Sequence, residues 1–329
     1  MKQDNVLIDD PKNCIAVFSK EHFLVLKGIS ILFVVLGHLG NRYLSFPYFS
    51  PITVAGVSIF LICSGYGLTE SFKKKGLKNY WPNKIIRVWL PSFFIISFFA
   101  VINNIGVEAW LKDEPFFLYG WYLKCQFVCY ILFFVFFLLF KNKKLIVIFS
   151  IISSIVVLLT VKNQMYAEQA FSFTLGVIIS LADVKNWLVR VKKSRLSLIL
   201  AALLGICAMF FTMRHVGLDY YFINNTIIML FELTLAVSII LVSILTIKIK
   251  LWKVFIPLGK IAFMTYLLNN FIFAYLSGRV TVINVLISIV ITGLASALLT
   301  ILFDKIYLGY TKIVKGKING TIKYPSKSK

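Results

Sequence analysis

Long runs of apolar residues, separated by short polar connections, make up most of this chain. Several runs, such as 85–102 and 127–140, are almost uncharged and approach the ~20 residues that a membrane-spanning helix needs. The pattern predicts an all-α, polytopic membrane bundle of about ten transmembrane helices. We place these spans at residues 23–39, 52–68, 85–102, 117–140, 145–161, 170–181, 196–213, 223–247, 254–276 and 280–303.

The polar connections alternate between strongly basic and weakly charged. The basic set begins at residues 73–78, and the other set includes the acidic connection at 108–114. Both chain ends group with the basic set. Because basic connections collect on the cytoplasmic side of membrane proteins, we predict that both termini are cytoplasmic, which requires an even number of spans. The predicted organisation is a cytoplasmic tail at 1–22, a membrane domain at 23–303 and a basic cytoplasmic tail at 304–329.

Composition supports this interpretation and excludes a water-soluble enzyme. Of the 329 residues, 59% are hydrophobic and 15% are charged, with a mean hydropathy of +0.87, whereas a soluble chain carries about 25% charged residues. The net charge of +22 would suggest nucleic-acid binding in a soluble protein. In a membrane protein it indicates cytoplasmic basic connections and contact with anionic lipids. We therefore predict a location in the cytoplasmic membrane, with lipids and not nucleic acid as partners.

Motifs of soluble enzymes and metal proteins do not occur in the sequence. There is no Gly-x-Ser-x-Gly elbow, phosphate loop, His-Glu-x-x-His motif or dinucleotide fingerprint. Cys125 and Cys129 are four residues apart on one predicted helix, but no further His or Cys cluster completes a metal site. We predict no metal centre.

Polar residues inside predicted spans are costly and often functional. Lys27 and His38 are eleven residues apart in the first span, which places them within about 20° of one another around the helix and ~16 Å apart along it. A membrane histidine can simply satisfy a packing hydrogen bond, and a terminal lysine can anchor at the headgroups. Because Lys27 and His38 share one helix face, we favour a polar channel along that face, with His38 in the outer half of the membrane.

A second basic pair, Lys84 and Arg87, lies at the cytoplasmic start of the third span. The spacing of three residues predicts that they share a helix face. A planar guanidinium suits a phosphate group, so we expect this pair to meet a polyanionic cofactor that approaches from the cytosol.

Glu232 is the carboxylate that lies deep in a predicted span, at 223–247. Burial of an unpaired carboxylate is costly, so we expect Glu232 to face the bundle interior. Structural and catalytic roles both stay open. The candidate partners are Lys27, Arg87, Lys260 and His38.

The same positions resemble the acyltransferase-3 family of integral membrane O-acyltransferases, which modify bacterial surface glycans. The segment 26–38, with ten residues between Lys27 and His38, resembles the family's opening motif. The segment 56–66 resembles its second-span element and ends in Ser64, Gly65 and Tyr66. The segment 84–91 resembles its paired-basic element before proline. Weaker matches occur at 120–123, 171–176 and 258–267.

This resemblance implies that acyl-CoA, most often acetyl-CoA, binds from the cytoplasm. The acyl group would pass to a hydroxyl of an extracytoplasmic polysaccharide, glycolipid or lipid-linked saccharide. It also implies that His38 is the catalytic histidine and general base, with Glu232 carried as a second candidate. The implied donor-binding residues are Lys27, Lys84, Arg87, Ser64 and Tyr66.

Three positions depart from the family pattern. Lys27 stands where many members have Arg, Leu24 where many have Asp, and Asn269 where many have His. The last two leave the partner of His38 unassigned by sequence.

Two alternatives stay open at this point. A transporter or flippase would also carry intramembrane charges, although no internal repeat is visible in the sequence. A membrane glycan polymerase would be expected to carry a large extracytoplasmic loop, which is not seen here. Sequence does not identify the acceptor hydroxyl or the acyl length, and it leaves a homo-oligomer open.

Overall fold

The computed structural model describes residues 16–43, 50–104, 120–161, 163–216, 221–276 and 282–321. The tail segments 1–15 and 322–329, and the acidic connection at 108–114, lie outside the described residues. Across the described ranges the structure is all-helical. The α-helices are α1 (Lys20–Tyr43), α2 (Ser50–Lys75), α3 (Tyr80–Lys84), α4 (Leu90–Ile102), α5 (Trp121–Leu139), α6 (Lys143–Thr160), α7 (Gln164–Glu168), α8 (Ser172–Leu181), α9 (Val184–Arg190), α10 (Lys193–Val216), α11 (Tyr221–Leu245), α12 (Phe255–Leu276) and α13 (Val282–Thr321). A π-helical turn, Ile85–Trp89, joins α3 to α4, and a 3₁₀ turn, Lys250–Val254, precedes α12.

Within the described ranges, nine helices are long and apolar enough to cross a membrane. They coincide with nine of the ten predicted spans, which confirms the fold class. The predicted span at 170–181 differs, because α8 has ten residues and a length of about 15 Å, half of the ~30 Å hydrocarbon core. The chain from Gln169 to Ser180 still runs alongside α2 from Ser58 to Lys73, so this segment supplies the tenth pass that cytoplasmic termini require. It is largely buried among other helices, with Phe173 6% and Val177 2% exposed. The helix α13 also continues past the predicted end of the membrane domain, to Thr321.

The helix α2 lies at the centre of the bundle and packs against α1, α8 and α11. It runs parallel to α8, as two hydrogen bonds show. Ser58 donates to Gln169 Oε1 at 3.0 Å at one end, and Lys73 Nζ donates to the Ser180 carbonyl at 2.7 Å at the other. We call the end with Lys20 and residues 73–75 the basic end of the bundle.

The helices α1 and α12 form the most extensive helix pair in the protein and run parallel. Two glycines permit their close approach. A Cβ atom added at Gly28 would overlap the Phe255 carbonyl oxygen, and one at Gly259 would overlap the Leu24 carbonyl oxygen. Small residues at such crossings let membrane helices pack backbone against backbone. This packing fixes the height of α12 relative to α1, and therefore which side chains meet further along the pair.

The π-helical turn at Ile85–Trp89 is explained by Pro91. Proline has no N–H to donate to the carbonyl four residues earlier, and its ring crowds that carbonyl. The backbone N–H of Leu90 bonds the Ile85 carbonyl instead, which gives the wider i to i+5 turn. The turn changes the direction in which Arg87 projects relative to Lys84.

Candidate active site

His38 lies on α1 near the end opposite the basic end, eighteen residues and about 27 Å along the helix from Lys20. Its Nδ1 atom is hydrogen-bonded to Oδ1 of Asn269 on α12. Asn269 is fully buried, and its amide nitrogen donates to two backbone carbonyls, of Thr265 at 2.8 Å and Tyr266 at 3.0 Å. Those two bonds determine which end of the amide faces α1.

This orientation assigns the tautomer of the imidazole. An amide oxygen can only accept, so Nδ1 of His38 must carry the proton and donate it to Asn269. The lone pair then lies on Nε2, which is the form of histidine that can remove a proton from a hydroxyl. Asn269 therefore supplies the partner of His38 that the sequence left unassigned.

The cation cluster consists of Lys27, Lys84 and Arg87. Lys27 and Arg87 both lie close enough to Lys84 to repel its charge. In the part of the chain that the structure describes, none of the three forms a salt bridge. Three cations that are held together without a paired carboxylate favour the binding of an anion.

Aromatic rings hold two members of the cation cluster in different directions. Lys84 Nζ lies 4.2 Å from the ring centroid of Tyr130 on α5. Arg87 Cζ lies 3.7 Å from the ring centroid of Tyr307 on α13. Both distances are typical of cation–π contacts. The two side chains therefore reach different neighbouring helices, and the π-helical turn, Ile85–Trp89, lies at this point of the chain. They still belong to one electrostatic cluster.

A cavity of about 460 Å³ opens beside Arg87, between α1, α12 and α13. Its cationic lining residues are Lys20, Arg87 and Lys260, and its acidic one is Asp304. Phe263 and Phe303 provide an apolar wall. Tyr307, which also lines the cavity, is held by donating its hydroxyl to Asn83 Oδ1 at 3.0 Å. This mixture of cations and rings can accommodate a phosphate-bearing group with a flat heterocycle.

Of the two predicted donor-binding residues on α2, the structure brings one to the cation cluster. Ser64 lies near the Tyr130 hydroxyl, and Lys84 Nζ lies over the Tyr130 ring. Tyr66 instead packs against both Phe18 and Phe23, with ring centroids 5.0 and 4.9 Å away. Two residues apart on a helix, Ser64 and Tyr66 project about 200° apart, so one ligand contacting both would have to bend around α2.

Glu232 is buried on α11, with 1% exposure. His22 Nε2 and Ser243 Oγ are hydrogen-bonded at 2.9 Å and give a common reference height for α1 and α11. Measured from that bond, Glu232 lies about 16 Å along α11 and His38 about 24 Å along α1. The structure therefore sets Glu232 nearer the basic end than His38, and a catalytic role for Glu232 stays a prediction.

Several residues of this site carry no strong sequence signal. Tyr130, Tyr307 and Asn83 are ordinary polar residues in apolar or basic surroundings, and only the fold brings them to Lys84 and Arg87. Within the described ranges, no group of three His, Cys, Asp or Glu side chains meets to hold a metal ion.

Comparison with known proteins adds one finding. A family model for acyltransferase-3, described as an acyltransferase domain, matches residues 23–304, most of the chain. No curated protein and no solved structure matches the chain.

Proposed function

We propose a specific reaction for this chain, which belongs to the acyltransferase-3 family. Members of this family are multi-pass membrane proteins that transfer an acyl group. An acyl group, acetyl in the simplest case, moves from cytoplasmic acyl-CoA to a hydroxyl of an extracytoplasmic polysaccharide or glycolipid. His38 acts as the general base. The protein lies in the cytoplasmic membrane with its basic end inward, as the positive-inside rule favours.

The hydrogen bond between His38 and Asn269 is the observation that carries this proposal. In the reaction, Nε2 of His38 removes the proton from the acceptor hydroxyl while the hydroxyl oxygen attacks the thioester carbonyl. The carbon–sulfur bond breaks as the new carbon–oxygen bond is made. The departing thiolate then takes the proton from the imidazolium, so His38 returns to its starting form. General bases of this kind contribute about 10²–10⁴-fold to rate.

Asn269 is a positioning residue in this scheme. Its Oδ1 accepts from Nδ1 in both the neutral and the charged form of His38, and the bond strengthens when the ring becomes an imidazolium. Because the Asn269 amide is held by the Thr265 and Tyr266 carbonyls, it does not need to reorient during the reaction. A dipole that is already oriented, such as this amide, stabilises the charge that develops on His38 without a cost for reorientation.

The cation cluster and the adjacent cavity support donor binding from the cytoplasm. Arg87 projects towards the cavity that Lys20 and Lys260 also line, where the phosphates of CoA would be neutralised. Lys27 lies on α1 about 16 Å below His38 along the same face. We propose that the thioester-bearing arm of CoA follows this face of α1 from the cation cluster towards His38.

A sidedness experiment tests the proposed function. Inside-out membrane vesicles, with the basic end facing the medium, receive acetyl-CoA labelled in its acetyl group and are supplied with surface glycan in the lumen. We expect labelled, base-releasable ester on the lumenal glycan, and none with His38→Ala. Label found only on the side of addition, or glycan movement without acylation, would contradict the proposal and favour a transporter.

A further inference from the structure

A second cavity, here called the slot, lies between α5, α6, α7 and α8. Its volume is about 250 Å³. Phe133 and Phe137 on α5 face Val157 and small residues of α6 across it. Val128, which also lines the slot, is 47% exposed. The slot therefore reaches the outer surface of the bundle at a position where the surrounding medium is lipid.

The polar atoms in the slot wall are satisfied within the protein. Ser154 and Thr174 share a hydrogen bond of 2.8 Å between their hydroxyls. Ser150 donates to the Ile146 carbonyl at 2.7 Å, and Ser153 donates to the Ser150 carbonyl at 2.8 Å. With these hydroxyls bonded within α6 or between α6 and α8, the wall presents mainly carbon. A hydrocarbon fits this wall without leaving a buried polar group unmatched.

The size of the slot matches one hydrocarbon chain in one leaflet. Ser150 and Val161, at its two ends on the α6 side, are eleven residues and about 16 Å apart, half of the ~30 Å hydrocarbon core. The volume of 250 Å³ is spread over this length, so the slot is long and narrow. A lipid with two chains packed side by side would not fit.

Aromatic residues connect one end of the slot to the His38 site. Tyr166 lines the slot and lies 6.2 Å, between ring centroids, from Trp121. Tyr122, next in sequence, lies 4.7 Å from Tyr266. The backbone carbonyl of Tyr266 accepts from Asn269, the partner of His38. A head group at the Tyr166 end of the slot would therefore lie towards the same end of the bundle as His38, with these aromatic residues between the two.

We propose that the slot binds the single hydrocarbon chain of a lipid-linked saccharide and so presents the sugar to His38. This inference rests on the proposed function and narrows its acceptor, since a water-soluble polysaccharide has no chain to place there. The hydrocarbon chain would enter the slot from the surrounding bilayer, past the exposed side chain of Val128.

Photolabelling tests the slot directly. The purified full-length protein, in phosphatidylcholine nanodiscs, is irradiated with hexadecyl glucoside that carries a diazirine in its alkyl chain. We expect label on the segments 133–137 and 150–157, which excess unlabelled hexadecyl glucoside removes. Val157→Phe fills the slot and should lower this label at least about tenfold, equivalent to about 1.4 kcal/mol of binding.

Val156→Phe is the matched control, since Val156 is the adjacent residue, is 50% exposed and does not line the slot. It should leave the label unchanged. Equal labelling of both variants would overturn the proposal. So would label that added phosphatidylcholine displaces as well as the glycolipid does, because the slot would then hold ordinary bilayer lipid.

Acylation of the cell's surface glycan separates this inference from the proposed function. Val157→Phe should lose acylation while acetyl-CoA binding by the purified variant stays normal. Normal acylation by Val157→Phe would reject the slot as an acceptor site and leave the proposed function standing. Normal acylation by a folded His38→Ala variant, together with displaceable slot labelling, would reject the proposed base and leave the slot as a lipid site.

Discussion

Replacement of Asn269 by leucine should slow acyl transfer without unfolding the protein. Leucine is similar in size but offers no acceptor to Nδ1 of His38. The Thr265 and Tyr266 carbonyls lose only the extra bonds from the amide. The main loss is thus the bond to the imidazolium, and hydrogen bonds to charged groups are worth about 1.5–3 kcal/mol. At 1.36 kcal/mol for each tenfold change, kcat should fall by roughly 10- to 100-fold.

The assay is initial-rate transfer by purified protein in nanodiscs, with the donor concentration varied. Because Asn269 lies far from the cation cluster, KM for the donor should change little while kcat falls. Thr265→Val is the control on the same helix, since its hydroxyl bonds the Ile261 carbonyl at 3.1 Å and its own carbonyl still accepts from Asn269. A normal kcat for Asn269→Leu, with normal melting temperature, would refute the positioning role.

Three further predictions follow from the geometry. Gly259→Val should lower the melting temperature sharply, because the valine side chain would overlap the Leu24 carbonyl. Gly293→Ala should leave the melting temperature unchanged, because the space around Gly293 is open. Equal melting temperatures for the two variants would contradict the packing of α1 against α12. Arg87→Ala should weaken acyl-CoA binding by about 1.5–3 kcal/mol, with Arg87→Lys restoring part of it, and unchanged affinity in the folded variant would exclude this contact. Cysteine tagging should find residues 73–78 and both termini cytoplasmic and residues 108–114 external, and an external C-terminus would contradict the topology.

The membrane-spanning helices could be predicted from sequence because the hydropathy of a segment depends only on the residues in that segment, and not on how the helices pack. Nine long runs of apolar residues became nine candidate spans in the described ranges. The short α8 departs from the pattern because its length is set by packing. Gly176 lies against the Ile62 carbonyl and Gly65 against the Phe173 carbonyl, so a buried ten-residue helix suffices there.

The side chains of the candidate site could be predicted only in part. His38, Lys27, Lys84 and Arg87 attract notice because charged and titratable residues are rare in spans. Asn269 is a neutral amide, and its role depends on the register of α12 against α1. The different directions of Lys84 and Arg87 depend on a π-helical turn, which a spacing rule based on 3.6 residues per turn does not include.

The most direct test of the account compares two histidines on α1. His22 is buried with 1% exposure, and its Nε2 is hydrogen-bonded to Ser243, which is a packing role. If His38 is the general base, His38→Ala should reduce surface-glycan acylation by about 10²–10⁴-fold. The melting temperature and the acyl-CoA affinity of this variant should stay close to those of the unsubstituted protein. His22→Ala should lower the melting temperature while the folded fraction keeps its turnover. Near-normal acylation by a well-folded His38→Ala protein would contradict the central claim that His38 is the general base.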